Sequence, residues 1–296
     1  MIASRGPGTR RGLPMLLVLV ACAPGLPVRR PEAPPSPTPR EAAAPQRGYP
    51  EGLPPVAIVI DDMGTSRQEA RAFGMLPLDL TFSVLPGRPE APEVSRSLAS
   101  MGRQVLVHIP MEPDRPEAMQ GEEFLRETLS PDEIRAVAER ALARVPEARG
   151  ANNHMGSRFT RSPEALTPFA DWLRDRGLFF LDSRTTPESL AQAVAQARGV
   201  PAIRRHVFLD HDPGPEALRA RLEDLAAAAR TLGCAIAIGH PLPDTLEALS
   251  ALATDPAPPF RVVSLDALLG RPCAGSPWPP QADFRSNPSG TMTRQR

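Results

Sequence analysis

Apolar positions between residues 56 and 269 fall into two alternating kinds of segment. Short, nearly continuous apolar or β-branched runs occur at residues 56–60 (VAIVI), 80–85 (LTFSVL), 105–107 (VLV), 178–181 (LFFL), 207–209 (VFL), 234–238 (CAIAI) and 262–265 (VVSL). Runs without polar alternation suit strands covered on both faces, as in a parallel sheet. Between several of them lie segments of helical period with start and stop signals. Ser130-Pro131-Asp132-Glu133 offers a cap, a first-turn proline and a capping-box carboxylate, and Ile134, Val137, Ala138, Ala141, Leu142 and Val145 then share a face before Gly150. Ser162-Pro163-Glu164 opens a second helix that stops at Gly177, Thr186-Pro187-Glu188 a third ending near Gly199, and Pro215-Glu216 a fourth stopping at Gly233. Strands alternating with helices predict an α/β fold. About 215 residues is short for an eight-stranded barrel, so a distorted or incomplete (β/α) barrel of about seven strands is expected.

The polar residues that follow the strands carry the chemistry. Asp61-Asp62 follows VAIVI, His108 follows VLV, Asp182-Ser183-Arg184 follows LFFL, Asp210-His211 follows VFL, His240 follows IAIG and Asp266 follows VVSL. In α/β folds the C-terminal strand ends share one face, where ligands bind, so remote segments would deliver carboxylates and imidazoles to one mouth. Adjacent carboxylates at 61 and 62 repel, and a divalent cation on one of them, with the other free to accept a proton, relieves that repulsion. His108 stands in VHIPMEP, where Pro110 is expected to end the strand. His154 stands in GANNHMGSRFT, which reads as a polar turn. With Asp62 these two form an Asp/His/His set of ligands leaving a coordination position open, as catalytic zinc sites require. His240 is the candidate acid, since imidazole titrates near neutral pH, with Asp182 or Asp210 to orient it. His206 reads as structural or surface, and His211 has no assigned place.

Composition changes the picture mainly at the ends. The chain has 296 residues, 34 basic and 34 acidic side chains, 38 prolines and three cysteines. Zero net charge argues against a nucleic-acid partner, and three unclustered cysteines argue against a disulfide scaffold or a zinc ribbon. Every basic side chain is arginine, which excludes Schiff-base lysine chemistry and the P-loop lysine. Residues 1–22 combine Arg5, Arg10 and Arg11 with a short apolar stretch and read as a targeting segment. Its end, Leu19-Val20-Ala21-Cys22, resembles a bacterial lipoprotein signal, which implies lipidation of Cys22 and a periplasmic, membrane-tethered protein of the cell envelope, with Ala23 pointing to the outer membrane. Residues 23–55 are a Pro/Ala-rich spacer, 56–270 the folded domain and 271–296 a loose tail. A pairing of Cys234 with Cys273 stays open on the sequence.

Taken in order, AIVIDDMG (57–64), TFSVLP (81–86), VLVHIPMEP (105–113), NNHMGSRFT (152–160), FFLDSRTT (179–186), FLDH (208–211) and IAIGHP (236–241) resemble the divergent polysaccharide deacetylase family, a distant branch of the NodB-type carbohydrate esterases. The resemblance implies a distorted barrel and a metal-dependent hydrolase acting on an N- or O-acetylated glycan, with zinc the expected cation. It implies that Asp61 is the base, Asp62 a metal ligand, His108 the first histidine of the second motif and His240 the residue protonating the leaving group. Glu112 stands where the wider superfamily has a second histidine, and the Arg-x-Pro-Tyr motif is replaced around NNHMGS, so His154 would supply the missing ligand. The same departures leave a second reading, a glycan-binding or scaffolding envelope lipoprotein without turnover. A glycosidase using two carboxylates would leave His108, His154 and His240 without a role.

Overall fold

The computed structural model describes residues 48–119 and 121–271; the targeting segment with Cys22, most of the Pro/Ala-rich spacer, Cys273 and the rest of the tail lie outside them. Strands and helices follow as β1 (Pro55–Met63), α1 (Arg67–Gly74), β2 (Thr81–Val84), α2 (Ala91–Ser100), β3 (Gln104–Met111), α3 (Pro131–Arg144), β4 (Gly150–Met155), α4 (Pro163–Arg176), β5 (Phe179–Asp182), α5 (Ala191–Ala197), β6 (Ala202–Arg204), β7 (Val207–Phe208), α6 (Pro215–Leu232), β8 (Ala235–Gly239), α7 (Pro243–Thr254) and β9 (Arg261–Val262). All the ladders are parallel, in the order β6-β5-β4-β3-β2-β1-β8-β7, with β9 joined to the start of β1.

The two ends of that order, β6 and β7, are joined by only Arg205 and His206. Arg205 N donates to Asp182 O on the β5 side, and His206 N donates to Ile236 O on the β8 side. One extended stretch therefore serves both margins and curls the sheet into an incomplete (β/α) barrel. Counting β6 and β7 as that one stretch, the wall has the expected size of about seven strands.

Side chains alternate across a strand, and the barrel sorts them into two cores. Ala57, Val59, Leu106, Phe179, Leu181, Ile203, Ile236 and Ile238 fill the interior, closed below by Leu265 and Leu268. Ile58, Ile60, Phe82, Val84, Val105, Val107, Ile109 and Phe180 face the surrounding helices.

Several expected helix signals are seen. Ser130 and Glu133 form a capping box on α3, Ser162 caps α4 by accepting from Ala165 N, and Gly177 and Gly233 end α4 and α6 in the left-handed conformation. Four expectations change. The polar stretch read as a turn is β4, whose first four residues are buried. Pro110 does not end β3: its carbonyl accepts from Leu125 N on the side that β2 has vacated after Val107, and the N–H it lacks would lie on that same side, so the ladder to β4 is unbroken. The third helix starts at Ala191 rather than beside Pro187, because the intervening loop is held by Ser189 Oγ donating to Asp182 and by Arg184 Nη2 donating to Pro187 O. Of the last apolar run only Val262 is strand, paired with Arg261 before it in β9, and Leu265–Leu268 is a 3-10 turn plugging the barrel floor. Leu265 N is bound there by Thr81 Oγ1 and Gln104 Oε1, at the starts of β2 and β3, so Asp266 lies at the end opposite the mouth. Cys234, buried before β8, is disulfide-bonded.

Gly150 is required by the packing of β4 on β5. A Cβ there would sit 2.6 Å from Phe179 Cε2, because the Phe179 ring crosses directly over the glycine. Gly150→Ala is expected to cost about 1–3 kcal/mol, as overpacking in a dense core does, read as a lower urea midpoint with unchanged slope.

Candidate active site

The site grows from the interior core by one more step of the same alternation. Two residues beyond Val59, Leu106, Gly150, Leu181, Ile203 and Ile238 come Asp61, His108, Asn152, Ser183, Arg205 and His240. The apolar plug is thus roofed by a polar layer at the C-terminal strand ends, and Ser83 joins it from β2.

Asp62 breaks the alternation, since on a regular strand it would point outward with Ile58 and Ile60. The register of β1 against β2 slips between Ile60 and Met63, and Asp62 has φ +56°. A positive φ on a non-glycine residue costs roughly 1–3 kcal/mol, and such bulges re-aim side chains beside active sites. Here it turns a second carboxylate into the mouth beside Asp61. Two further non-glycine residues with positive φ, Met155 and Arg184, follow His154 and Ser183 at the same rim.

Asp62 Oδ1 lies 2.9 Å from His154 Nδ1 and 3.2 Å from His108 Nε2. Neither approach has hydrogen-bond geometry, so among the described residues this buried oxygen has no hydrogen-bond partner. One ligand atom from each of Asp62, His108 and His154 can be chosen so that all lie within 4.8 Å of one another. Zinc bonds of about 2.0–2.1 Å at tetrahedral angles place neighbouring donors roughly 3.3 Å apart. A carboxylate oxygen and imidazole nitrogens converging without bonding each other are therefore suited to a divalent cation. His154 reaches the set because Asn152 and His154 sit on one face of β4, in register with His108 and Pro110. Glu112, at the position of the superfamily's second histidine, is turned away and accepts from Glu127 N.

Behind the ligands, Asn152 Nδ2 donates to both oxygens of Asp61 at 2.9 and 3.1 Å, and its Oδ1 lies 2.7 Å from His108 Nδ1. Asp61 Oδ2 is 3.5 Å from His108 Nε2. Burial raises the Asp61 carboxyl above the ordinary carboxylate range, against the pull of His108 and His240. Burial also pushes the Asp62 carboxyl up, but the two imidazoles beside it outweigh this and hold it well below that range. Burial disfavours a charged His108, yet Asp61 and Asp62 together raise its pKa, and the same negative field favours a metal cation.

His240 stands at the other side of the mouth. Its Nδ1 is 2.8 Å from Asp210 Oδ1, and Asp210 Oδ2 accepts from His240 N and Thr245 Oγ1 at 2.6 and 2.9 Å. Burial opposes its charge, but Asp210, with Asp61 and Asp62 behind it, raises the imidazole pKa to about 9. Phe208 stacks on His240, and the Arg205 guanidinium lies 3.6 Å over the Phe208 ring while donating to Ser183 O and Arg184 O. Burial lowers the Arg205 pKa to about 9, with Asp182 and Asp61 in partial compensation.

Of the expected residues, the structure brings Asp61, Asp62, His108, His154 and His240 together. Asp182 is not among them. It shares the outward face of β5 with Phe180 and accepts from Ser189 Oγ, Arg184 N and Gln192 N, so Asp210 alone orients His240. His206 is a buried structural histidine whose Nδ1 accepts from Ile236 N, and His211 is exposed. Sequence reading missed Ser83, Asn152, Ser183 and Arg205 as site residues. The alternation just described was the available signal for all of these but Ser83, whose polarity sat inside an apolar run.

Two measurements test this geometry. Asp62→Ala is expected to abolish stoichiometric zinc in elemental analysis while leaving the helical circular dichroism signal intact. The His240 imidazole is expected to titrate near pH 9 by NMR and to fall toward about 6.5 in Asp210→Asn. Because its folded pKa is raised, the His240–Asp210 pair stabilises the fold fully below about pH 6.5 and loses that contribution as pH rises through about 9.

Comparison with known proteins agrees with this geometry. The family described as divergent polysaccharide deacetylase matches residues 58–269. An uncharacterized protein of Escherichia coli K12, YibQ, is 34% identical over 226 residues, covering 76% of this chain and 70% of that protein. An uncharacterized Haemophilus influenzae protein is 35% identical over 196 residues, covering 66% and 70%. Among solved structures, the uncharacterized protein ATU2773 of Agrobacterium tumefaciens C58 superposes with TM-score 0.69 at 25% identity, over 76% of this chain and 93% of that one. An Enterococcus faecalis V583 protein shares the fold at TM-score 0.52 and 11% identity, over 74% of this chain and all of that one. From the paired aspartates on β1 to the histidine after β8, the barrel and its polar mouth lie within the matched span, and the chain belongs to the divergent polysaccharide deacetylase family.

Proposed function

We propose that the protein is a metal-dependent hydrolase that removes acetyl groups from a glycan of the cell envelope. The observation that carries this reading is the convergence of Asp62, His108 and His154 at the barrel mouth, with Asp61 beside them and His240 across from them. A divalent cation such as zinc on those three residues would supply Lewis acidity at the acetyl carbonyl and make water a better nucleophile.

The remaining roles belong to the chain. Asp61, held by Asn152 and raised in pKa by burial, accepts a proton from the attacking water as its oxygen bonds to the carbonyl carbon. Asp210 holds the Nδ1–H of His240 and turns the other ring nitrogen to the mouth. His240, protonated at neutral pH, gives its proton to the departing nitrogen or oxygen as the bond to the acetyl carbon breaks and acetate leaves. Lipidation of Cys22 and a periplasmic location belong to the same proposal, supported by the sequence pattern alone.

Acetate release from acetylated chitooligosaccharides and peptidoglycan fragments, measured with added zinc, tests the reading. Release is expected from the native protein and is expected to fall at least about 100-fold in Asp61→Asn, the loss typical of removing a general base. Glycan retention without acetate release would instead favour the binding lipoprotein, for which the displaced Glu112 and the absent Arg-x-Pro-Tyr motif speak.

A further inference from the structure

Asn152 is fully buried on β4, and each hydrogen-bonding position of its amide is used. Its Oδ1 accepts from Ser83 Oγ on β2 and from His108 Nδ1 on β3, while its Nδ2 donates to Asp61 on β1 and, at 3.3 Å, to Ser183 Oγ just after β5. One amide thereby ties four other strands of the wall together behind the ligand set.

The orientation is dictated by its partners. Rotated by half a turn, the amide would aim its carbonyl oxygen at the Asp61 carboxylate and its NH2 at the hydroxyl and ring nitrogen that now donate to it. With Nδ2 bound to a carboxylate, Oδ1 must accept, so His108 must carry its proton on Nδ1. In the neutral ring that metal binding requires, this leaves the lone pair on Nε2, the nitrogen 3.2 Å from Asp62 Oδ1. The same Nδ2 holds Asp61 by both oxygens and so sets the plane of its carboxylate.

We propose that Asn152 is a positioning residue with two separable duties: its oxygen selects the metal-binding tautomer of His108, and its nitrogen aligns Asp61 as the proton acceptor. This rests on the deacetylase reading for the second duty only; the first concerns metal binding and stands without turnover. A carboxamide suits the task because a carboxylate would keep the acceptor for His108 but place a second negative charge against Asp61, and an aliphatic side chain would satisfy neither neighbour.

The test compares Asn152→Asp with Asn152→Leu in the full protein, titrating zinc alone by calorimetry and measuring acetate release separately. Two-dimensional 15N NMR of the histidine rings reads the His108 tautomer, and the absorption bands of the cobalt-loaded protein report the coordination. Removing a hydrogen-bonding partner behind a metal ligand typically lowers affinity about 10–100-fold. Asn152→Leu is expected to show that loss, a mixed His108 tautomer and changed cobalt bands. Asn152→Asp is expected to keep zinc affinity within a few-fold and the Nδ1–H tautomer, while losing most acetate release. Should Asn152→Leu fail to fold, Ser83→Ala tests the first duty, with partial loss of the tautomer preference expected. Equal zinc affinity and an unchanged tautomer in Asn152→Leu overturn the proposal, as do equal losses of zinc in both Asn152 variants. Failure of the native protein to bind zinc overturns the metal site itself, and zinc binding without acetate release leaves the first duty standing and overturns the second.

Discussion

Two adjacent carboxylates face one largely buried mouth, and the rest of the site is arranged around carrying their charge. Asp61 is almost completely buried and Asp62 partly so, and unpaired ionised groups in such a setting cost several kcal/mol each. Asn152 donates to the first and His108 and His154 crowd the second, while His240 and Arg205 add positive charge nearby. Because Asp62 Oδ1 lacks a hydrogen-bond donor among the described residues, these only partly answer the charge. A site of excess negative charge with converging nitrogen lone pairs is what a divalent cation stabilises.

The barrel makes this arrangement rigid through its alternation of side chains. The inward residues of β1, β3, β5, β6 and β8 are apolar up to a common level and polar one step higher, so the polar layer rests on a packed floor. Position along the strand decides depth, and parity decides whether a residue enters the mouth. Asp182 and Ser183 illustrate this: the aspartate turns out to anchor the loop before α5, while the serine turns in toward Asn152. Asp62 enters the mouth only through the register slip and its left-handed backbone, and that local strain persists because β2 and β8 clamp β1 on either side.

Much of the fold was legible before any coordinates. Apolar runs marked most strands, and cap and stop residues marked α3, α4 and α6, because these signals are local. Among the elements that escaped, beside β6, α1, α2 and α7, was β4, whose buried residues include Asn152 and Asn153. Asparagine in a strand looks like a turn until its partners are known, and those partners come from β1, β2, β3 and β5. The start of α5 was misplaced for a similar reason, since Asp182 and Arg184 hold the residues around Pro187 as loop.

The order of strand-end residues, read along the chain, determined which segments would supply the site, since parallel strands deliver their C-terminal ends to one rim whatever the details of packing. Only the tertiary structure decided how they meet: that Asp210 rather than Asp182 holds His240, that Asp62 turns inward, and that Asn152 joins base to ligand. Those choices depend on side-chain parity, on a one-residue slip of register and on hydrogen bonds between segments distant in the chain, none of which leaves a mark in local composition.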